Sequence, residues 1–258
     1  MKSLTLIAGL LLASAAAPAI AGDKDIRIRV GAGAKAEPKY VGSDDYQIGP
    51  LWDFDFARGT DPFPFEAPDD AFGFALISKD GFSAGPAGKL MWRRTEEEVG
   101  APVGRVPTTI EVGGFVQYQI GKSTRVRADL RKGLGGHGGI VGSAGADKFW
   151  RDGDRYIFSI GPRLLFSDER YQRAYFGVGP AASLAAGLPA YSPRGGIHGV
   201  ALVSGLSYQF NPRFGMFGFA RYERLVGDAA RSPIVRDFGS RDQLSAGIGL
   251  NYTFTIKR

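Results

Sequence analysis

The sequence predicts an all-β fold, an antiparallel transmembrane β-barrel of about 10–12 strands with short periplasmic turns and longer outer loops. Three observations predict it. Apolar residues alternate with small or polar ones over stretches too long for ordinary soluble strands. The links between those stretches are short and long by turns. An export signal opens a chain that contains no cysteine.

The alternation is clearest at residues 244–256. Leu244, Ala246, Ile248, Leu250, Tyr252, Phe254 and Ile256 alternate there with Ser245, Gly247, Gly249, Asn251, Thr253 and Thr255. A strand sends successive side chains to opposite faces, so this one has an apolar face and a face of small polar groups. A soluble sandwich would bury the apolar face, whereas an outer-membrane barrel turns it to lipid and the polar face inward. The stretch exceeds the roughly five or six residues of a soluble strand. It suits the roughly nine to eleven of a tilted membrane strand.

From the N-terminus, Ile26, Ile28, Val30, Ala32 and Ala34 alternate with Arg27, Arg29, Gly31, Gly33 and Lys35. Tyr46, Ile48, Trp52, Phe54 and Phe56 alternate with Gln47, Gly49, Asp53 and Asp55. Residues 71–78 and 82–92 are further candidates with weaker contrast. Ile110, Val112, Val116, Tyr118 and Ile120 oppose Glu111, Gly113, Gln117 and Gln119. Val126, Ala128 and Leu130 oppose Arg125, Arg127, Asp129 and Arg131; Tyr156, Phe158, Ile160, Leu164 and Phe166 oppose Arg155, Ser159, Gly161 and Arg163. Residues 172–179, 199–210, 214–224 and 244–256 complete the series, and no stretch shows helical periodicity.

Short links are expected at 79–81, 121–123, 167–171 and 211–213, and long ones at 57–70, 93–108, 133–152, 180–198 and 225–243. Sorting by length is the outer-membrane arrangement, turns in the periplasm and loops outside. Ten strands from Tyr46 to Ile256 then begin and end on the periplasmic side. Residues 26–34 are an eleventh stretch that breaks parity. They extend the wall with unusual closure, lie inside the lumen, or belong to a twelve-strand layout.

Met1-Lys2-Ser3, the apolar run to Ala17 and Ala19-Ile20-Ala21 read as a secretory signal peptide over residues 1–21, leaving 22–258 as one barrel. With no second long apolar run, a helical inner-membrane protein is excluded. Without cysteine, neither a disulfide scaffold nor a thiol site is available. The 38 glycines and 12% aromatics suit a tightly packed interior and aromatic girdles. The net charge of +6 becomes +5 once Lys2 is removed; basic loops either meet outer-membrane lipid and lipopolysaccharide head groups or are solvated surface charge, and export argues against nucleic acid.

The interior charges distinguish a plug from a pore. A tight turn at 121–123 sets Gln117 opposite Arg127 and Glu111 diagonal to Arg131. Asp53, Asp55, Glu111, Asp129 and Glu223 supply acid; Arg125, Arg127, Arg131, Arg163 and Arg221 supply base. Both signs in a narrow barrel imply a closed, salt-bridged interior, since a wide channel needs more strands.

Pro38-Lys39-Tyr40-Val41-Gly42-Ser43-Asp44-Asp45-Tyr46 resembles the opening motif of the MipA/OmpV family of outer-membrane proteins. Glu111-Val112-Gly113-Gly114-Phe115, Gly136-His137-Gly138-Gly139 and Tyr175-Phe176-Gly177-Val178 follow in the family's order. The string from Arg224 to Val235 is close to its L-x-G-D-A-x-x-S-P signature, through Gly227, Asp228, Ser232 and Pro233. The resemblance covers nearly all of the chain after residue 21. It implies a non-enzymatic scaffold linking a lytic transglycosylase to a murein synthase, with no cofactor or metal. Its contacts are then expected on the periplasmic face, in the short turns and residues 37–46. The alternative is a small channel or permeability factor linked to osmotic or antibiotic response.

Each motif has a plainer reading beside the functional one. Gly42-Ser43-Asp44-Asp45 is a cation site or a turn; Asp228 and Ser232 pin a loop or meet a partner. Glu96-Glu97-Glu98 attracts divalent cations or is a solvated loop. Trp92 with Arg93 and Arg94 fits a head-group anchor. His137 and His198 are the only histidines. A hydrolase would need one beside a serine and a carboxylate, with Ser143 and Asp147 near His137 in sequence.

Overall fold

The computed structural model describes residues 25–257, so the expected signal peptide lies outside them. In chain order the strands are β1 (Ile26–Pro38), β2 (Tyr46–Arg58), β3 (Phe72–Gly73), β4 (Ile77–Lys79), β5 (Phe82–Met91) and β6 (Thr109–Ile120). They continue as β7 (Thr124–Gly135), β8 (Ile140–Asp152), β9 (Tyr156–Ser167), β10 (Gly196–Gln209), β11 (Phe214–Leu225) and β12 (Asp242–Ile256). All pair antiparallel in one sheet ordered β2-β1-β12-β11-β10-β9-β8-β7-β6-β5-β3, with β4 also on β5. The sheet curls until Arg27 of β1 reaches Asp154, beyond the end of β8, at 2.7 Å.

The alternation sets the two faces. Ile48, Trp52 and Leu250 point outward, 84%, 73% and 68% exposed, while Asp55, Arg125, Asp129 and Arg163 are buried on the inner face. An outward apolar surface that broad, in a chain with its charges turned inward, is a lipid-facing wall. Inside, the strands come close. A Cβ at Gly113 would lie 1.9 Å from the Leu130 carbonyl oxygen, so only glycine fits there.

The structure corrects several expected elements. Residues 26–35 are a full wall strand, β1, paired with β2 on one side and β12 on the other. Residues 140–152, expected within a long link, form β8; residues 172–179, expected as a strand, lie largely in helix α2 (Glu169–Phe176). The tight turn beside β9 is therefore at 153–155, and residues 168–195 make a long excursion in place of a turn at 167–171. Four further short helices are present: α1 (Glu96–Val99), α3 (Pro180–Ala186), α4 (Gly227–Arg231) and α5 (Pro233–Phe238).

Parity resolves with these changes. Counting β3 and β4 as one bulged strand, the wall has eleven positions, and its two edges, β2 and β3–β4, both run toward the tight-turn end. No ladder joins those edges. They run alike because residues 59–71, expected as an outer link, leave β2 at the tight-turn end and climb through the lumen before re-entering the wall. Arg27 Nε donates to Gly59 O at 2.8 Å, Phe63 is buried, and Phe65 stacks on Phe149 with ring centroids 4.3 Å apart.

The opposite end is closed by a folded cap. One apolar cluster joins Val106, Val141, Tyr171, Tyr175, Phe176, Leu225 and Val235; a second joins Tyr40, Val99, Val103, Val178, Leu188 and Ile234. Residues 39–45 belong to this cap, because β1 ends and β2 begins at the long-loop end. The segment 37–46 is thus at the end opposite the short turns, which corrects its expected place on the periplasmic face. Replacing Leu250 by arginine on the lipid face should destabilise the barrel in vesicles by about 2–4 kcal/mol. Urea unfolding monitored by heat-shifted gel mobility reads this; a cost near zero would contradict a lipid-facing position.

Candidate functional site

The lumen charges form continuous pairs. Facing registers on β6 and β7 set Gln117 opposite Arg127, and Arg127 Nη1 donates to Gln117 Oε1 at 3.0 Å. Arg131 Nε donates to Glu111 Oε2 at 2.9 Å and its guanidinium also meets Asp129, which accepts from Ser143 Oγ. On β1 and β2, Arg29 pairs with Asp53 at 3.3 Å and with Asp55. Arg221 pairs with Glu223 along β11. Glu111, Arg125, Asp129, Arg131 and Arg163 are all buried, and bidentate guanidinium–carboxylate geometry suits such sites.

Three partners lie in stretches expected as long outer links, 57–70 and 133–152. Asp147 of β8 accepts from Arg125 Nη2 and Arg163 Nη2, each at 2.6 Å. Asp69 and Asp70 of the lumen segment bind Arg163 and Arg125, at 2.9 Å and 2.6 Å. The signal for the segment was Asp61-Pro62-Phe63-Pro64-Phe65-Glu66-Ala67-Pro68, where alternating prolines hold the chain extended and aromatics alternate as in a strand.

Beneath the cap, His137 Nδ1 accepts from the Gly139 N–H at 3.0 Å, which leaves Nε2 to donate to Glu111 Oε1 at 3.1 Å. Tyr171 meets the ring edge-on at 4.9 Å. Ser143 and Asp147 are engaged with Asp129 and the arginines, away from His137. His198 shares a 3.0 Å hydrogen bond with Ser167 Oγ. Neither ring joins a serine to a carboxylate in a hydrolase triad. Among the described residues no group of three acidic, histidine or cysteine side chains is placed to hold a metal ion.

The motif loops meet in the cap. Tyr40 is buried and its ring lies under Arg94, whose guanidinium is 5.8 Å from the ring centroid. Arg94 itself is buried and donates to Tyr175 O at 2.7 Å and Gly104 O at 2.9 Å, so it braces the cap and is no head-group anchor; Trp92 remains exposed. Gly42 has φ of 98°, a conformation glycine adopts freely, and its N–H donates to Gln243 Oε1 at 3.0 Å. Ser43 is buried in the same turn, its carbonyl accepting from Gln243 Nε2, while Asp44 is exposed and Pro38 ends β1.

The second string is built likewise. Gly227, φ of 61°, opens α4, and Asp228 accepts from the Arg194 N–H at 2.8 Å and pairs with Arg231. Ser232 caps α5 by accepting from the Ile234 N–H, and its Oγ donates to Phe176 O at 2.7 Å, while Pro233 takes the first helical turn. The Glu96-Glu97-Glu98 run forms the first turn of α1, where Thr95 and Glu98 make a capping box. Burial pushes the Tyr175 hydroxyl up to about 12. The Arg194 N–H and then Arg231 hold Asp228 below the usual carboxylate value.

The family model "MltA-interacting protein MipA" matches residues 30–254. No curated protein sequence matches the chain. Among solved structures, the NanC porin aligns at 11% identity over 88% of this chain and 98% of its own, with a TM-score of 0.40. An outer-membrane channel from Pseudomonas putida F1 aligns at 8% over 92% and 97%, TM-score 0.42. The KdgM porin aligns at 9% over 89% and 99%, TM-score 0.38.

Ser232→Ala strands the buried Phe176 carbonyl and should cost about 1–3 kcal/mol. The loss should appear in hydrogen exchange as local opening of α2 and α5, with the wall strands unchanged. Asp228 contributes stability above the ordinary carboxylate pKa and loses it as pH falls through its depressed value. Protection of the Arg194 amide should therefore fall as pH drops below the ordinary carboxylate range, and Asp228→Asn should abolish that dependence.

Proposed function

Because the chain belongs to the MltA-interacting protein MipA family, we propose that it is a non-catalytic outer-membrane barrel that docks murein-remodelling enzymes at its periplasmic, tight-turn end. A lytic transglycosylase is the first partner, after the family's name, and a murein synthase the second. The barrel sits in outer-membrane lipid, its basic and aromatic rim against lipid and lipopolysaccharide head groups. What supports a platform is the filled lumen: Arg125, Arg131 and Arg163 are held in internal ion pairs, and its outer mouth is covered by an apolar cap.

The tight-turn end carries a feature suited to docking. Each of its four hairpin turns ends on or contains an exposed base: Lys79, Lys122, Arg155 and Arg213. They sit on separate turns of one rim and favour an acidic face on the partner, with steering that weakens as salt rises.

Capture by purified, refolded protein tests this reading. Converting Lys79, Lys122, Arg155 and Arg213 to glutamate should weaken capture of a purified lytic transglycosylase about tenfold or more. Substitutions in the cap, such as Asp44→Ala, should leave capture intact. Unchanged capture by the four-fold variant, or its loss on cap substitution alone, would overturn the docking face.

A further inference from the structure

The arginines beneath the lumen segment are arranged as a binding site that the chain itself fills. Arg125, Arg127 and Arg163 converge there, and the wall supplies one carboxylate, Asp147, shared between Arg125 and Arg163 at 2.6 Å each. Three guanidiniums against one hydrogen-bonded wall carboxylate leave the wall with a surplus of positive charge. The lumen segment supplies the acid: Asp69 and Asp70, adjacent in sequence, bind the guanidiniums directly, and Glu66 faces Arg125 and Arg127. Asp70 accepts from Arg125 at 2.6 and 3.2 Å; Asp69 accepts from Arg163 Nε and Nη2 at 2.9–3.2 Å. Each is a forked carboxylate–guanidinium contact of the kind by which arginine recognises a separate anion.

Three observations separate this segment from fixed wall. Residues 59–71 contain no helix or strand, so no backbone ladder binds them to the sheet. Arg127 Nε is buried without a hydrogen-bond partner, its nearest carboxylate oxygen lying 3.6 Å away on Asp70. A cavity of about 10 Å³, lined by Asp70, the three arginines, Ser143, Gly145 and Asp147, has room for about one water beside the carboxylate. The donors there are preorganised by Asp147 and Gln117, and they outnumber what the segment's carboxylates use.

The geometry points to a lumen site for a solute bearing two carboxylates, formed by Arg125, Arg127 and Arg163 and held shut by the chain's own Asp69 and Asp70. A dicarboxylate replaces both aspartates without leaving a guanidinium unpaired, which neither water nor a monoanion does. The segment is then an internal competitor whose displacement opens the interior above the tight-turn end. This goes beyond the docking platform and does not depend on it.

The test reads displacement directly. In the folded protein Ala67 is 5% exposed at the centre of the segment, so a thiol introduced by Ala67→Cys is shielded while the segment is seated. Succinate is the probe, with sodium chloride at equal ionic strength controlling for screening. Succinate should speed maleimide modification of that thiol about tenfold or more, the change expected from losing one charge-assisted hydrogen bond. Adding Asp69→Asn and Asp70→Asn should make modification fast without succinate and remove the succinate effect. Equal rates in succinate and chloride, or slow modification with both aspartates replaced, would overturn the site. Hydrogen exchange at the Phe63 and Ala67 amides of the unsubstituted protein gives the same reading if the cysteine variant fails to fold. Partner capture plays no part, so failure here leaves the docking proposal standing.

Discussion

A charged side chain turned into a narrow barrel has to find its opposite inside that barrel, and the rest of this structure follows from that constraint. Lipid on one side and a packed interior on the other leave little water to screen a guanidinium, so an unmatched one is costly. Along β6 and β7 the match is made across the ladder, Glu111 to Arg131 and Gln117 to Arg127. Around Arg125 and Arg163 the wall falls short, and residues 59–71 are drawn through the lumen to complete it. That route makes the chain re-enter the wall travelling in the direction in which it left. The odd number of wall positions and the two like-directed edges are therefore consequences of charge matching as much as of strand count.

The alternating strands were legible because one face had to be apolar and the other small or polar. β1, β2, β6, β9 and β12 show the contrast residue by residue. β8 escaped because Gly142, Ser143, Ala144, Gly145 and Ala146 are small on both faces, so no alternation survives in hydropathy. α2 was hidden for the opposite reason. Tyr171, Gln172, Tyr175 and Phe176 are buried at helical spacing, but the helix is two turns long and begins among charges, and Asp168 capping it is a local cue that hydropathy does not weigh. The facing pairs on β6 and β7 were readable because a tight turn fixes register. The Asp69 and Asp70 contacts were not, since their partners lie 94 and 55 residues away and no turn links them.

The recurring strings of the chain serve the cap. Tyr40, Gly42 and Ser43 come from the β1–β2 connection, and Asp228, Ser232 and Pro233 from the β11–β12 connection, yet both sets serve the two apolar clusters of the cap, through Gln243, Arg94 and Phe176. A motif that is polar in sequence is thus spent on backbone: a helix start, a carbonyl, a turn. The histidine at 137 is used in the same way, fixing the β7–β8 connection between a backbone amide and Glu111. The residues most distinctive in sequence hold the roof in place, and the open rim at the other end is left to four short turns.

The seam between β1 and β12 has a consequence in time. Ile26 through Ala36 lie against residues 246–256, so the first strand synthesised finds its second neighbour only when the last one exists. Until then β1 has β2 alone, and a two-stranded ribbon is marginal by itself. The ladder that makes the wall continuous across its two chain ends is also its most distant in sequence, and loop closure of that length comes late. The barrel is a structure whose beginning is decided at its end, and any machinery that inserts it has to keep the N-terminal strand unspent while the other ten positions assemble.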